Sequence, residues 1–180
     1  LFGTEEQKTK WLPGVASGDL IASFALTEPE AGSDAAGLKT KAIRDGDHYV
    51  FNGTKRYITN ASRAGMFTLL ARTDPDKPGA SGVTAFLMPA DTPGISFGKT
   101  DKKMGQRGTR TCDVMLDNVR LPASSIIGGP DKLGKGFYTA MKVLDRGRIH
   151  LAAVATGTSQ RMVNIATEYA RERKQFGVPI

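Results

Sequence analysis

Thr27-Glu28-Pro29-Glu30-Ala31-Gly32-Ser33-Asp34 gathers hydroxyls and carboxylates around a proline and a glycine, directly after an apolar run. Glycine lets backbone N–H groups approach an anion closely, and hydroxyls add donors. The same composition also makes an ordinary capped surface loop, and both readings stand. Tyr57-Ile58-Thr59-Asn60 sets an aromatic ring, a branched apolar side chain and a hydroxyl in succession. That is either a stacking wall with a hydrogen-bonding edge or a half-buried strand. Asp145-Arg146-Gly147-Arg148 places a carboxylate three residues ahead of a guanidinium, close enough to pair on a helix. Arg148 falls on an apolar stripe, where a charge needs a partner or a ligand that supplies one. Gly147 costs a helix about 1 kcal/mol relative to Ala, which fits close approach of another group. An interhelical ion pair explains the same residues.

Several chemistries are excluded or unsupported. Gly129 to Gly136 has the glycine spacing and the lysine of a phosphate-binding loop, but Gly136 stands where a metal-binding hydroxyl belongs. That segment reads as a glycine-rich lead into a helix. There is no G-x-G-x-x-G fingerprint for a dinucleotide and no G-x-S-x-G nucleophile turn. The one cysteine, Cys112, rules out a disulfide framework, and His48 and His150 are too far apart for a short-spaced ligand pair. No run of eighteen apolar residues occurs. Lys+Arg 25 against Asp+Glu 18 leaves a net charge of +7. The excess favours an anionic partner without separating nucleic acid from a phosphorylated small molecule.

The elements that must hold these residues follow from periodicity. Residues 5–12 read as the end of a helix stopped by Pro13-Gly14. Leu20 to Leu26 is a short apolar run. Residues 38–44 and 48–51 flank a hairpin turn at Asp45-Gly46, and Asn52-Gly53 reads as a second turn leading into 54–59. Apolar runs at 66–72 and 83–88 and an alternating stretch at 111–121 complete a set of short strands. Their spacing predicts a sandwich or barrel. From about residue 136 the period turns helical. Phe137, Met141, Leu144, Arg148, Leu151, Ala155, Thr158, Met162, Ile165 and Tyr169 mark one stripe of a helix over 136–173. A helix that long draws its stability from packing, so partner helices are expected from outside this sequence. The start at Leu1 without Met, and the close directly after the helical stretch, make a segment of a longer chain the expectation. The expected fold class is α+β: an antiparallel β-barrel or sandwich followed by a long helix of an incomplete helical bundle.

Three motifs, taken together, are similar to the acyl-CoA dehydrogenase family: Phe24-Ala-Leu-Thr-Glu-Pro-Glu-Ala-Gly-Ser33-Asp34, Lys55-Arg-Tyr-Ile-Thr-Asn60 and Tyr169-Ala-Arg-Glu-Arg-Lys-Gln-Phe-Gly177. Met104-Gly105-Gln-Arg-Gly and Asp117-Asn-Val-Arg-Leu-Pro122 resemble it as well. The resemblance runs over nearly the whole chain, in family order and spacing. It implies the end of an N-terminal helical domain over 1–19, a FAD-binding middle β domain over 20–130, and the start of a C-terminal helical bundle over 131–180. It implies a flavoenzyme that oxidises an acyl-CoA thioester to the trans-2-enoyl-CoA. A glutamate takes the α-proton, the β-hydride passes to flavin N5, and the electrons go to an electron-transferring flavoprotein.

Residue by residue, the resemblance assigns FAD contacts to Phe24, Leu26, Thr27, Gly32 and Ser33. It gives Thr27 the isoalloxazine edge, and places Ser33 near both the pyrophosphate and the CoA. Tyr57, Ile58 and Thr59 wall the ring. Tyr57 stands where many members carry Trp, and Glu30 replaces a small residue common there. Asp145, Arg146, Gly147 and Arg148 contact the CoA. Arg173, Gln175 and Phe176 reach the FAD of a neighbouring subunit, which implies a homo-oligomer, a dimer or tetramer. No metal is implied. No catalytic residue is expected within 1–180, because Gly147 occupies the position where some branches carry the base. The base is expected beyond residue 180, and the segment alone is expected to be inactive. The alternatives are an acyl-CoA oxidase or flavin monooxygenase on the same scaffold, or a DNA-binding flavoprotein relative. That last branch would carry extra basic surface in its C-terminal part, so nucleic acid and membrane are not expected partners. The expected compartment is the cytoplasm of a bacterium or the mitochondrial matrix of a eukaryote.

Overall fold

In the computed structural model, which describes residues 1–180, Thr4 caps the first helix, α1 (Glu5–Ser17). The Thr4 hydroxyl accepts from the Gln7 amide at 3.2 Å, and the Gln7 side chain accepts from the Thr4 amide at 3.1 Å. The helix runs through Pro13-Gly14 rather than stopping there as expected. Proline removes its own N–H from the ladder and crowds the carbonyl four residues back, a local cost this helix carries. The Ser17 hydroxyl and the Leu20 amide both donate to the Gly14 carbonyl, and Gly18 at φ 83° ends the helix.

Seven strands follow: β1 (Ala22–Ala25), β2 (Lys41–Asp45), β3 (His48–Thr59), β4 (Met66–Arg72), β5 (Val83–Pro89), β6 (Ile95–Phe97) and β7 (Thr111–Pro122). They form one curled sheet in the order β1-β4-β2-β3-β7-β6, with β5 also paired to β4. The sheet is mixed rather than purely antiparallel. β1 runs parallel to β4 along Met66–Leu69, and β2 runs parallel to its last residue, Arg72. β1 and β2 therefore share one edge of β4, and the chain between them leaves the sheet and returns in the same direction. That excursion carries the Thr27–Asp34 segment.

The β2–β3 hairpin turns where Asp45-Gly46 marks it, with Asp45 paired to His48 and Gly46 at φ 65°. The expected turn at Asn52-Gly53 does not form, and β3 continues through it. Asn52 and Asn118 bond each other across β3 and β7, and a Cβ on Gly53 would meet the Thr40 hydroxyl at 2.6 Å. The glycine serves close approach between strands, not a reversal. The core lies inside the curl: Phe51, Phe67, Leu69, Phe86, Val114, Leu121 and Ile126 are buried, with Phe51 edge-on to Phe86 at 4.8 Å. Cys112 is buried among them, and burial pushes its thiol up.

The chain forms two compact units, Leu1–Ala140 and Met141–Ile180. Helix α2 (Gly136–Glu172) begins in the first. Its start is tied to β5, where the Gly134 amide donates to the Thr84 hydroxyl at 2.8 Å. In the second unit the stripe residues Leu151, Met162, Ile165 and Tyr169 are exposed. That unit closes with a hairpin of β8 (Lys174–Gln175) and β9 (Val178–Pro179), turned at Phe176 (φ 52°) and Gly177 (φ 82°).

Candidate functional site

β3 and β7 carry two bulges in opposite strands. Phe51 pairs with Val119 but Gly53 with Leu116, so β7 holds an extra residue around Asn118, which sits at φ 50°. Lys55 pairs with Val114 but Ile58 with Cys112, so β3 holds one at Arg56-Tyr57. Tyr49, Phe51 and Lys55 alternate inward along β3, and unbroken alternation would send Tyr57 inward too. The second bulge, with Tyr57 at φ 57°, breaks the phase and turns its ring outward to 60 % exposure. Ile58 then points inward and Thr59 outward.

β1 lies beside this end of β3. The Arg56 amide donates to the Thr27 carbonyl at 2.8 Å, and the Ser23 hydroxyl donates to the Thr59 carbonyl at 2.7 Å. β1 alternates so that Ser23 and Ala25 are buried and Phe24 is exposed. The structure thus brings the exposed Phe24, Tyr57 and Thr59 and the half-buried Thr27 to neighbouring positions, with Leu26 and Ile58 buried. Gly32 and Ser33 are exposed in the excursion that follows. Arg56 pairs with Asp113 at 2.6 Å and stacks on the Tyr57 ring at 4.7 Å. These residues make an exposed strip of aromatic rings with hydroxyls beside them. It fits a flat aromatic ligand with polar edges, as a flavin is. A Cβ on Gly32 would meet nothing within 4 Å, so the loop leaves room beside it.

Under the loop lies a buried ion pair. Lys55 is fully buried, and its Nζ donates to Glu28 Oε1 at 2.8 Å and to the Leu26 carbonyl at 3.0 Å. Glu28 also accepts the amides of Lys39 at 2.6 Å and Thr40 at 2.9 Å. Burial works to raise the Glu28 carboxyl, but the Lys55 charge and these hydrogen bonds outweigh it and hold it below the usual carboxylate range. Burial pushes Lys55 down to about 8, against the pull of Glu28. Glu28, Lys55, Arg56 and Asp113 are absent from the residue set expected from sequence. The signal for Lys55 was available: it shares the parity of Tyr49 and Phe51.

In the second unit, Arg148 donates to Asp145 at 2.6 Å. Both side chains are about 70 % exposed (72 % and 67 %), so Arg148 does not stand on a buried face. The stripe it shares is uncovered within that unit, which is why the charge meets water. A Cβ on Gly147 would meet nothing within 4 Å, and Arg146 is likewise exposed. Arg173, Gln175 and Phe176 lie together at the terminal hairpin, exposed, where the Arg173 carbonyl accepts the Ile180 amide at 2.9 Å.

Two family models match the chain: acyl-CoA dehydrogenase, middle domain, over residues 23–119, and acyl-CoA dehydrogenase, C-terminal domain, over residues 134–180. A probable acyl-CoA dehydrogenase of Bacillus subtilis is 48 % identical over 99 % of this chain and 46 % of its own length. A 3-(aryl)acrylate reductase of Clostridium sporogenes is 46 % identical over 100 % of this chain and 47 % of its own length. A solved glutaryl-CoA dehydrogenase from Mycobacterium smegmatis, in complex with FADH2, is similar with a TM-score of 0.87 at 38 % identity, over 99 % of this chain and 44 % of that one. The chain spans about half the length of the curated relatives it matches.

Proposed function

This chain belongs to the acyl-CoA dehydrogenase family, and from that premise we propose that the protein carrying it is a FAD-dependent oxidoreductase acting on an acyl-CoA thioester. The reaction removes the α-proton and the β-hydride and leaves the trans-2-enoyl-CoA. The observation that carries this reading is the wall built from Phe24 on β1, Thr27 just after it, and Tyr57 and Thr59 on β3, with its bulge-turned aromatic ring. When bound, FAD supplies the acceptor for the hydride.

This chain's own residues have the holding tasks. Tyr57 and Phe24 offer apolar faces to the ring, Thr27 offers a hydroxyl to its edge, and Ser33 sits in the loop for the pyrophosphate. Asp145 to Arg148 serve the CoA, whose phosphates suit a chain of net charge +7. Arg173, Gln175 and Phe176 serve the FAD of a second copy, so the working form is a homo-oligomer. No group here suits the proton abstraction. Glu28 is buried and bonded to Lys55, and Gly147 has no titratable group. Asp145 lies about 200° around the helix from Gly147, at 100° per residue. The family resemblance gives this role to a glutamate, which we place outside this chain, since a general base must reach the proton it removes.

The test uses the full-length protein with FAD. Acyl-CoA should bleach the flavin absorbance without oxygen, and an electron-transferring flavoprotein should restore it. Replacing the downstream glutamate by Gln should abolish bleaching, while Asp145→Asn should only weaken binding. No bleaching by any acyl-CoA sinks the reading. The reductase among the relatives favours one second reading, reduction of a conjugated acrylate-type substrate. Reoxidation of reduced flavin by an enoyl-CoA, without the forward reaction, would select it.

A further inference from the structure

The Lys55–Glu28 pair stands at the one place in the sheet where two strands share an edge. β1 leaves β4 at Leu69, β2 joins it at Arg72, and residues 26–40 span the interval. Glu28 accepts amides from Lys39 and Thr40, so one carboxylate ties the start of the excursion to its end. Lys55 reaches from β3 to the same carboxylate and to the Leu26 carbonyl, one residue before Thr27. The Arg56 amide takes the next carbonyl, Thr27. Two successive carbonyls at the root of the loop are thus held by two successive residues of the strand whose continuation is the Tyr57–Thr59 wall.

Stability alone does not explain this choice. Taking two charges out of water is expensive, and well-packed apolar residues of similar volume often serve a fold as well or better. A short carboxylate and a long ammonium instead fix direction, because each bond they make has a defined geometry.

We propose that Lys55 and Glu28 are positioning residues for the flavin: they set where Leu26-Thr27 and the Gly32-Ser33 turn stand relative to the Tyr57–Thr59 wall, and so fix how the ring is seated. The inference rests on the flavin reading above. It assigns the pair no contact with substrate and no proton transfer. The pair acts through Thr27 on one side and through the strand carrying Tyr57 on the other.

The test compares full-length wild type with Lys55→Met, Glu28→Gln, the double variant Glu28→Gln/Lys55→Met, and Lys55→Arg. Each single neutralisation leaves one charge buried without its partner and should lower the thermal midpoint. The double variant leaves no unpaired charge and should recover most of that loss. It should still show a shifted visible flavin spectrum, and flavin reduction by acyl-CoA slowed at least tenfold while KM moves less than threefold. If the double variant recovers the wild-type spectrum and rate along with its midpoint, the pair is structural only and the proposal falls. Should the double variant not fold, Lys55→Arg decides. It keeps the charge but moves the donor, and wild-type flavin behaviour in that variant overturns the proposal. A wild-type protein that takes up no FAD overturns the flavin reading itself, before any variant is made.

Discussion

Gly136 packs flat against the backbone of Ala85: a Cβ added to it would run into the Ala85 amide nitrogen and stand 2.7 Å from Thr84 Cα. The first turn of α2 lies on β5 with no room for a side chain, and the obstacle is backbone, which cannot rotate away. Gly147, eleven residues on in the same helix, faces open space. The two glycines should therefore respond oppositely to the same change. Gly136→Ala should destabilise the full-length protein by about 1–3 kcal/mol through overpacking. Gly147→Ala should stabilise helix α2 itself by about 0.5–1 kcal/mol through helix propensity, while raising the KM for acyl-CoA in the full-length protein. Thermal unfolding and substrate titration check both; an unchanged KM in Gly147→Ala would remove this face from the CoA site.

Tyr57 holds a left-handed backbone conformation that costs a residue with a Cβ about 1–2 kcal/mol. Strain of this kind persists where a site requires it. Tyr57→Gly should leave the thermal midpoint near or above that of wild type while FAD dissociates more readily. Measuring flavin released on gel filtration checks it, and full retention of FAD would show that the ring is not part of the wall.

Gln7 satisfies both ends of its amide, donating to Ser124 and Ile126 carbonyls at 2.9 and 2.8 Å and accepting from the Gly128 amide at 3.1 Å. Its removal strands these groups and opens the capping box. Gln7→Ala should cost about 2–3 kcal/mol and expose α1 to proteolysis first. Limited digestion with mass mapping checks the order; a first cut elsewhere would contradict it.

Lys55 gives a pH signature of defined sign. Its folded value of about 8 lies below the ordinary 10.5, so the unfolded chain binds the extra proton between the two. Stability from this group therefore rises with pH across roughly 8 to 10.5, and its burial cost is fully present below 8. Glu28 acts with the same sign in the acid range: its depressed value contributes stability above the ordinary 4.5 that is lost as pH falls through the folded value. The difference in thermal midpoint between wild type and Lys55→Met should move towards wild type from pH 8 to 10. A flat difference would show that Lys55 is not buried as a charge.

Arg173 stands exposed at the base of the terminal hairpin, where the family pattern gives it the FAD of a second subunit. A hydrogen bond to a charged group is worth about 1.5–3 kcal/mol, or roughly ten- to a hundredfold in affinity. Arg173→Ala should weaken FAD retention by that factor and loosen the oligomer with it. Flavin content and sedimentation, measured on one sample, check the coupling. A stable oligomer with full flavin content would separate the two.

Period and turn chemistry made most of this architecture readable. Val, Phe and Leu runs at 66–72 and 83–88 fell where β4 and β5 lie, Asp45-Gly46 where the hairpin turns, and the 4-3-4-3 stripe where α2 runs. Apart from the helix that runs on through Pro13, the misses share a cause: each depended on a partner distant in sequence. Asn52-Gly53 has the chemistry of a turn, but Asn118 and Thr40 hold it in a strand. Pro13 has the chemistry of a stop, but the turns after it find closure at Gly14. The parallel placement of β1 and β2 followed from a shared edge that no local pattern encodes. In the site, the wall residues could be named from their motifs, whereas Glu28 and Lys55 could not be paired, because 26 intervening residues separate them. The outward turn of Tyr57 depends on a bulge that appears only when β7 is paired.

That dependence on β7 also orders events during synthesis. β3 pairs His48 with Pro122 and Thr59 with Thr111, so its partner leaves the ribosome more than fifty residues after it. Long-range antiparallel pairing has to bear loop-closure entropy before contacts return anything, and it folds slowly for that reason. Until β7 arrives, β3 offers a bare, apolar edge to any neighbouring chain, and neither bulge exists. The aromatic wall is therefore among the last features of this unit to form, and flavin capture on it can begin only once residue 122 has emerged.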